Sequence, residues 1–291
     1  MVHPIPQLEF KKPRTPGSEL FEIVDLEYLI HHKPLPEDHN PYRLHRLNFF
    51  AVLINTAPKV SHQIDFTKVA LNKDQIVVIA KGQTHCFDPK NRYSGYLIVF
   101  TEEFLQQQLQ PATMSGIKML YQQYGAPFTY QFDETLKQVV ANFQRELSQE
   151  NSYTQEMLGA MLTIFLLSLQ RQHASTQTAV QQSEFYAKFI RFKTLVEEHF
   201  HESRDAVYYA KKLNITYKYL NEITRKSIGK TAKAFIDDTL LLEAKRLLIA
   251  SSMRAKEVGF ACGFEDPTNF VKFFKKHIGQ TPKSFQLQNK G

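Results

Sequence analysis

Two stretches near the C-terminal end bring together the side chains best suited to hydrogen-bonding a base edge. In Arg204–Ser227, RDAVYYAKKLNITYKYLNEITRKS, a helix starting after Thr216 turns Tyr217, Lys218, Asn221, Glu222 and Arg225 outward. Lysine donates to guanine O6 and N7, asparagine pairs with adenine through two bonds, and glutamate accepts from cytosine N4. Glu222 is equally well read as a solvated charge on a helix surface. A second stretch, RAKEVGFACGFEDPTNFVKFFKKHIGQTPKSF, repeats the plan of small residue, turn and capped basic helix. Its lysines, with Lys230 and Lys283, suit phosphate contacts or plain solvation, whereas Phe264, Phe270, Phe273 and Phe274 are core residues.

Such side chains need a rigid mount. Val207, Ala210, Leu213, Ile215, Leu220 and Ile223 stand where a helix-turn-helix requires apolar or small groups, Ala210 being small enough for a close crossing. Asn214 tolerates the positive φ of a tight turn, and Thr216 is an N-cap type. In the second copy Gly263 supplies the turn, and Asp266 with Pro267 makes a helix start. Between the copies, Thr231 to Ala250 is one continuous helical pattern, at 1.5 Å per residue roughly 30 Å long. A spacer of that length holds two helices about one DNA turn apart, near 34 Å, for successive major grooves.

The rest of the chain differs in texture. Of 291 residues, 43 % are hydrophobic, which excludes disorder and small disulfide scaffolds. Up to Gln182 there are 16 basic and 17 acidic residues; beyond it there are 20 and 12, so the +7 excess lies at the C-terminal end, where a polyanion would meet it. Glu19 to Phe100 reads as short strands, FEIVDLEYLI, LNFFAVLI, HQIDFTKVAL, QIVVIA and YLIVF, broken by turn residues, the pattern of an antiparallel sandwich or barrel. Helical spacing follows through Asp133–Gln149 and Thr154–Gln170. The second of these helices is apolar over much of its circumference, which points to contact with another subunit or to complete cover by its own chain. Arg171 to Gln182, polar and aperiodic, reads as a flexible linker. Cys86 and Cys262 fit buried thiols in a reducing compartment, and neither a signal peptide nor a membrane-spanning run is evident, so a cytoplasmic location is expected.

From about Phe185 to Gln286 the chain resembles the double helix-turn-helix domain of the AraC/XylS family of bacterial transcription regulators. The resemblance rests on Gly263-Phe264-Glu265-Asp266-Pro267-Thr268-Asn269-Phe270, Phe274-Lys275-Lys276, Gly279 and Thr281-Pro282, on Leu242–Leu248 in the linker helix, and on Gly229 before it. Three positions depart from the pattern: Ala232 where Pro is frequent, Leu240 and Gln286 where Arg is. Carried over from the family, Lys218, Asn221 and Glu222 match base-facing positions of the first reading helix. Thr268, Asn269, Val271 and Lys272 match those of the second, with Lys275 and Lys276 toward the phosphates. The implied architecture is α+β: a cupin-like antiparallel β-barrel with two trailing helices (1–170, effector-sensing and dimerisation), a linker (171–182), and an all-α domain of seven helices (183–291). The resemblance also implies double-stranded DNA and RNA polymerase as partners, a small-molecule effector, homodimerisation through 133–170, activation rather than repression, and no cofactor or catalytic residue.

A cupin-like barrel raises the question of a metal. His45, His62 and His85 are the candidates, but no closely spaced His pair with a following Glu occurs on one strand, so no metal site is expected. The interior instead offers His45, Arg46, Asn48 and His85 as polar groups for an effector, among Phe49, Phe50 and Tyr96; a barrel packed with its own side chains is the alternative. Phosphate-loop and G-x-S-x-G motifs are absent, and two cysteines cannot build a four-cysteine zinc site. A cupin enzyme carrying a DNA-binding tail and a constitutive DNA-binding protein are the rival readings.

Overall fold

The run Phe50–Asn55 is buried at every position, which requires a strand covered on both faces. Alternation along it explains the N-terminal architecture. Phe50, Val52 and Ile54 point to a helical layer, while Ala51 and Leu53 point to a second sheet. The computed structural model describes residues 7–8, 20–32, 40–110, 113–114, 117, 120, 127–149, 152–176, 184–251 and 253–289. These fall into two compact units that part between Thr176 and Gln177.

Among the described residues of the N-terminal unit, ten strands form two five-stranded sheets. The strands are β1 (Gln7–Leu8), β2 (Phe21–Asp25), β3 (His45–Leu47), β4 (Phe50–Asn55), β5 (Lys59–Ile64), β6 (Thr67–Asn72), β7 (Gln75–Ile79), β8 (Thr84–Phe87), β9 (Gly95–Phe100) and β10 (Thr129–Gln131). One sheet runs β1-β3-β8-β5-β6, the other β10-β7-β4-β9-β2, antiparallel throughout except where β1 pairs with β3. The outer face of the second sheet is covered by α1 (Glu102–Gln108), α2 (Glu134–Leu147) and α3 (Thr154–Thr176), whose Leu136, Phe143, Leu162 and Phe165 share one core with Phe50 and Ile98.

Several expectations need correction here. The stretch HQIDFTKVAL is two strands, because Asp65 takes φ +51° and folds the chain back between β5 and β6. Tyr28–Ile30, read as the end of the strand run FEIVDLEYLI, belongs to a helical turn, Tyr28–His32, instead. Phe50 and Tyr96 face the helices, not the space between the sheets. Arg171–Thr176, read as the start of a flexible linker, forms the last turns of α3. Residues 177–182 of that linker lie outside the described residues.

The space between the sheets is filled by Leu47, Leu53, Val60, Leu71, Phe87 and their neighbours, together with three buried histidines. His45, His62 and His85 lie on β3, β5 and β8, adjacent strands of one sheet. His62 Nε2 is 3.1 Å from His85 Nδ1, the rings of His45 and His85 are 4.2 Å apart, and His45 Nδ1 meets the Arg43 carbonyl at 2.9 Å. Burial, with His45 beside it, pushes the His62 imidazole down to about 3, so it is neutral in the fold. Among the described residues no cluster of three or more His, Cys, Asp or Glu has the geometry to hold a metal ion.

The C-terminal unit contains seven helices among its described residues: α4 (Glu184–His199), α5 (Ala206–Lys212), α6 (Tyr217–Ile228), α7 (Ala232–Ala250), α8 (Ala255–Ala261), α9 (Pro267–Ile278) and α10 (Pro282–Asn289). The pairs α5–α6 and α8–α9 are one backbone plan used twice. Asn214 and Gly263 take positive φ at the turns, and the Ile215 and Phe264 N–H groups donate to the Ala210 and Gly259 carbonyls, both at 3.0 Å. Thr216 accepts from the Tyr219 N–H and Asp266 from the Thr268 N–H, capping the second helices, and both helices end on a left-handed glycine, Gly229 and Gly279. At Gly263 a Cβ would also lie 2.0 Å from the His201 carbonyl oxygen, so this turn packs directly on the loop between α4 and α5.

Two measurements check these points. A neutral buried His62 makes the unfolded chain bind one more proton than the folded one between pH 6.5 and about 3. Stability is therefore full above pH 6.5 and falls below it, by up to about 1.4 kcal/mol per pH unit from this group. Denaturant unfolding at pH 7.5, 6 and 5 is expected to show this slope, reduced by one proton in His62→Gln; an unchanged slope would contradict it. Gly263→Ala combines an unfavourable φ with the His201 clash and is expected to cost at least about 2 kcal/mol, whereas Asn214→Gly changes stability by less than about 1 kcal/mol.

Candidate nucleic-acid interface

The exposed faces of α6 and α9 are built by the cores beneath them. Leu220 and Ile223 of α6 are buried, as are Phe270 and Phe274 of α9, so the residues between them are turned outward by the helical period. Tyr219 anchors the start of α6 to α4: its hydroxyl accepts from Lys188 Nζ at 2.8 Å. Lys226 near the other end lies 4.1 Å over the Phe185 ring, also of α4. Beneath α9, Phe264 packs on Phe270 and Phe273, and the Arg204 guanidinium stacks on Phe264 at 4.0 Å.

Of the residues singled out in the first motif, Tyr217, Lys218, Glu222 and Arg225 are exposed on α6. Glu222 pairs with Lys226 one turn on, at 2.8 Å. Asn221 differs from the others. It is half-buried, its Oδ1 accepts from the Ala232 N–H at 3.0 Å, and its Nδ2 meets the Tyr217 carbonyl at 3.3 Å. On α9, Thr268, Asn269, Lys272, Lys275 and Lys276 are exposed and Val271 is half-buried. The last turn of α9 carries Lys275, Lys276 and His277, so its C-terminal end is strongly cationic. At the other end Asp266 is held below the usual carboxylate range, chiefly by the hydrogen bond from the Thr268 backbone N–H.

Beside the start of α9 opens a cleft of about 740 Å³, lined by the loop from Phe200 to Asp205, by Lys233 and by Gly263 to Asp266 with Asn269. It joins the foot of the second motif to the start of α5 and α7. No sequence signal marked it, because its walls come from three separate stretches.

The three departures from the family pattern have structural accounts. Leu240 is fully buried in α7. Gln286 donates to the Leu248 and Met253 carbonyls, both at 2.9 Å, and so ties α10 to the end of α7. Ala232 is the first residue of α7, and its N–H, which proline would lack, is the one bound by Asn221.

In the N-terminal unit, His45 and His85 come together with His62, buried, whereas Arg46 lies on the other face of β3, where its Nε donates to the Gly82 carbonyl at 2.7 Å. Asn48 follows the strand, half-buried. Of the four effector candidates, His45 and His85 thus share one face of the sheet and Arg46 takes the other. A cleft of about 350 Å³ lies on the outward side of the first sheet, lined by Tyr42, Ser61, Gln63, Lys68, Cys86 and Lys90 among others. Burial and the nearby Asp88 push the Cys86 thiol up to about 11, and burial pushes the Cys262 thiol up to about 12, so both stay protonated. Both cysteines are free. Among the described residues no helix is long and apolar enough to cross a membrane.

Comparison with known proteins agrees with this geometry. A family model described as a helix-turn-helix domain matches residues 209–288, which takes in the second motif and all but the first three helical residues of the first. The Msm operon regulatory protein of Streptococcus mutans is 29 % identical over 137 residues, 46 % of each chain. The transcriptional activator RhaS of Pectobacterium carotovorum is 25 % identical over 158 residues, 53 % of this chain and 54 % of that one. An uncharacterised helix-turn-helix regulator of Bacillus subtilis, YobQ, is 22 % identical over 245 residues, 84 % of this chain and 89 % of that one. The chain thus spans about half the length of the first two relatives. With the duplicated turn, the paired caps and the family match in one place, residues 209–288 are a helix-turn-helix domain.

Proposed function

We propose that this protein is a sequence-specific DNA-binding transcription regulator, acting as an activator, in which α6 and α9 enter successive major grooves on one face of a duplex. The observation that carries the reading is the repetition itself: two capped helices with exposed polar faces, mounted on one backbone plan and joined by a single 19-residue helix. At 1.5 Å per residue α7 is about 28 Å long, close to one helical turn of DNA. The C-terminal excess of basic over acidic residues supplies attraction to phosphate that is independent of sequence.

The N-terminal unit supplies pairing in this reading. On α3, Met157 is 49 %, Ile164 51 % and Leu167 41 % exposed, with exposed Ala160 between them. Positions 157, 160, 164 and 167 alternate in steps of three and four, the spacing of a seam that packs on a copy of itself. A second copy of this chain is the occupant that fits.

Two tests follow. Selection of bound sequences from random duplex DNA by the full-length chain should enrich two blocks about 10 base pairs apart. Lys272→Ala should lower affinity and relax preference at one base pair by about 1–3 kcal/mol; enrichment of nothing would sink the reading. For pairing, Ile164→Glu with Leu167→Glu is expected to convert a dimer to a monomer in sedimentation without loss of helical signal, and a dimer that survives the change would refute the seam.

A further inference from the structure

The two motifs can be compared position by position within this one chain. Counting from their N-caps, Thr216 and Asp266, the fifth helical residue is Asn221 in α6 and Val271 in α9, and both are half-buried. The sixth is Glu222 and Lys272, both exposed. Each reading helix is followed by a left-handed glycine and then by a threonine that caps the next helix. The Ala234 N–H donates to Thr231 at 3.1 Å and the Ser284 N–H to Thr281 at 3.2 Å. The first residue of that next helix is Ala232 in one copy and Pro282 in the other.

This difference has a chemical consequence. The first N–H groups of a helix have no partner within it. Proline brings none, so Pro282 leaves nothing to satisfy, and the position that matches Asn221 is an apolar valine, Val271. Ala232 does bring one, it is buried, and the facing position is an asparagine whose Oδ1 accepts from it. Bidentate reading of adenine needs that oxygen as well as the amide nitrogen. In this fold the oxygen is already engaged on α7.

We propose that Asn221 is a positioning residue that ties α6 to the start of α7, and that the base-reading face of α6 consists of Lys218, Glu222 and Arg225. These three stand at steps of four and three along one side of the helix, as Thr268, Lys272 and Lys275 do on α9. The inference rests on the DNA-binding reading above and refines which side chains carry it.

The test uses the full-length chain and its Asn221→Ala, Asn221→Asp and Ala232→Pro variants. Asn221→Ala should weaken binding about fivefold for every sequence alike, leaving the selected base preferences unchanged. Asn221→Asp should bind within about twofold of the parent, since a carboxylate still accepts the Ala232 N–H at the positive end of α7. A base-selective change in the first variant, or loss of binding in the second, would overturn the proposal, because a reader of adenine cannot spare its amide donor. Melting temperature gives an arm that does not depend on DNA. Asn221→Ala should lower it in the parent and leave it unchanged in the Ala232→Pro background, where the donor is gone; equal lowering in both backgrounds would refute the tie. If the parent chain selects no sequence at all, the DNA-binding reading fails, and the melting comparison alone decides the role of Asn221.

Discussion

The reading helices depend on two close crossings. At Ala210 the side chain is a buried methyl group, and at Gly259 there is none; a Cβ there would stand 3.1 Å from that of Phe270. With so little between the backbones, α6 and α9 lie tightly on α5 and α8, and close packing fixes which way their outward positions face. The left-handed turn residues, the N-caps and the phenylalanines under α9 all serve this geometry. Enlarging the crossing residue would displace every exposed group on the helix at once, without touching any of them.

Features set by neighbours in the chain could be read from sequence. The turns at Asn214 and Gly263, the caps at Thr216 and Asp266 and the continuous helix after Thr231 each depend on residues within a few positions, and the structure has them in those roles. What eluded sequence reading was set by distant partners. The strands β3 and β8 are too short, at three and four residues, to show a period, and they are held by pairing with each other and with their other neighbours. The hairpin at Asp65 divides what reads as one run, and the inward positions shift from 60, 62 and 64 to 69 and 71 across it. Arg171–Thr176 looks like a linker by composition, yet Gln172 bonds the backbone of Gln131 and buried His173 lies against Phe128, and these tertiary contacts keep the helix going. Asn221 has the right chemistry for a base and is bonded to a backbone group 11 positions away, a partner no local rule reveals.

The N-terminal half shows how polar residues can be spent on the interior. Three imidazoles from adjacent strands are removed from water: His62 is hydrogen-bonded to His85, His45 to the Arg43 carbonyl, and the His45 and His85 rings meet edge to face, so the polar groups are spent largely on the protein itself. His62 keeps one ring nitrogen, Nδ1, without a partner in that buried setting. The cluster is compatible with a stable core only while His62 is uncharged, which links the packing of this unit to the acidity around it.

The repetition in the C-terminal unit is of backbone and not of charge. At matching places, one copy has Glu222 and the other Lys272, one has an exposed tyrosine at its start and the other a proline. Two identical readers related by a two-fold axis would sit equally well either way round on a symmetric site. This pair has a head and a tail, so any duplex that engages both helices fixes which way the C-terminal unit runs along it.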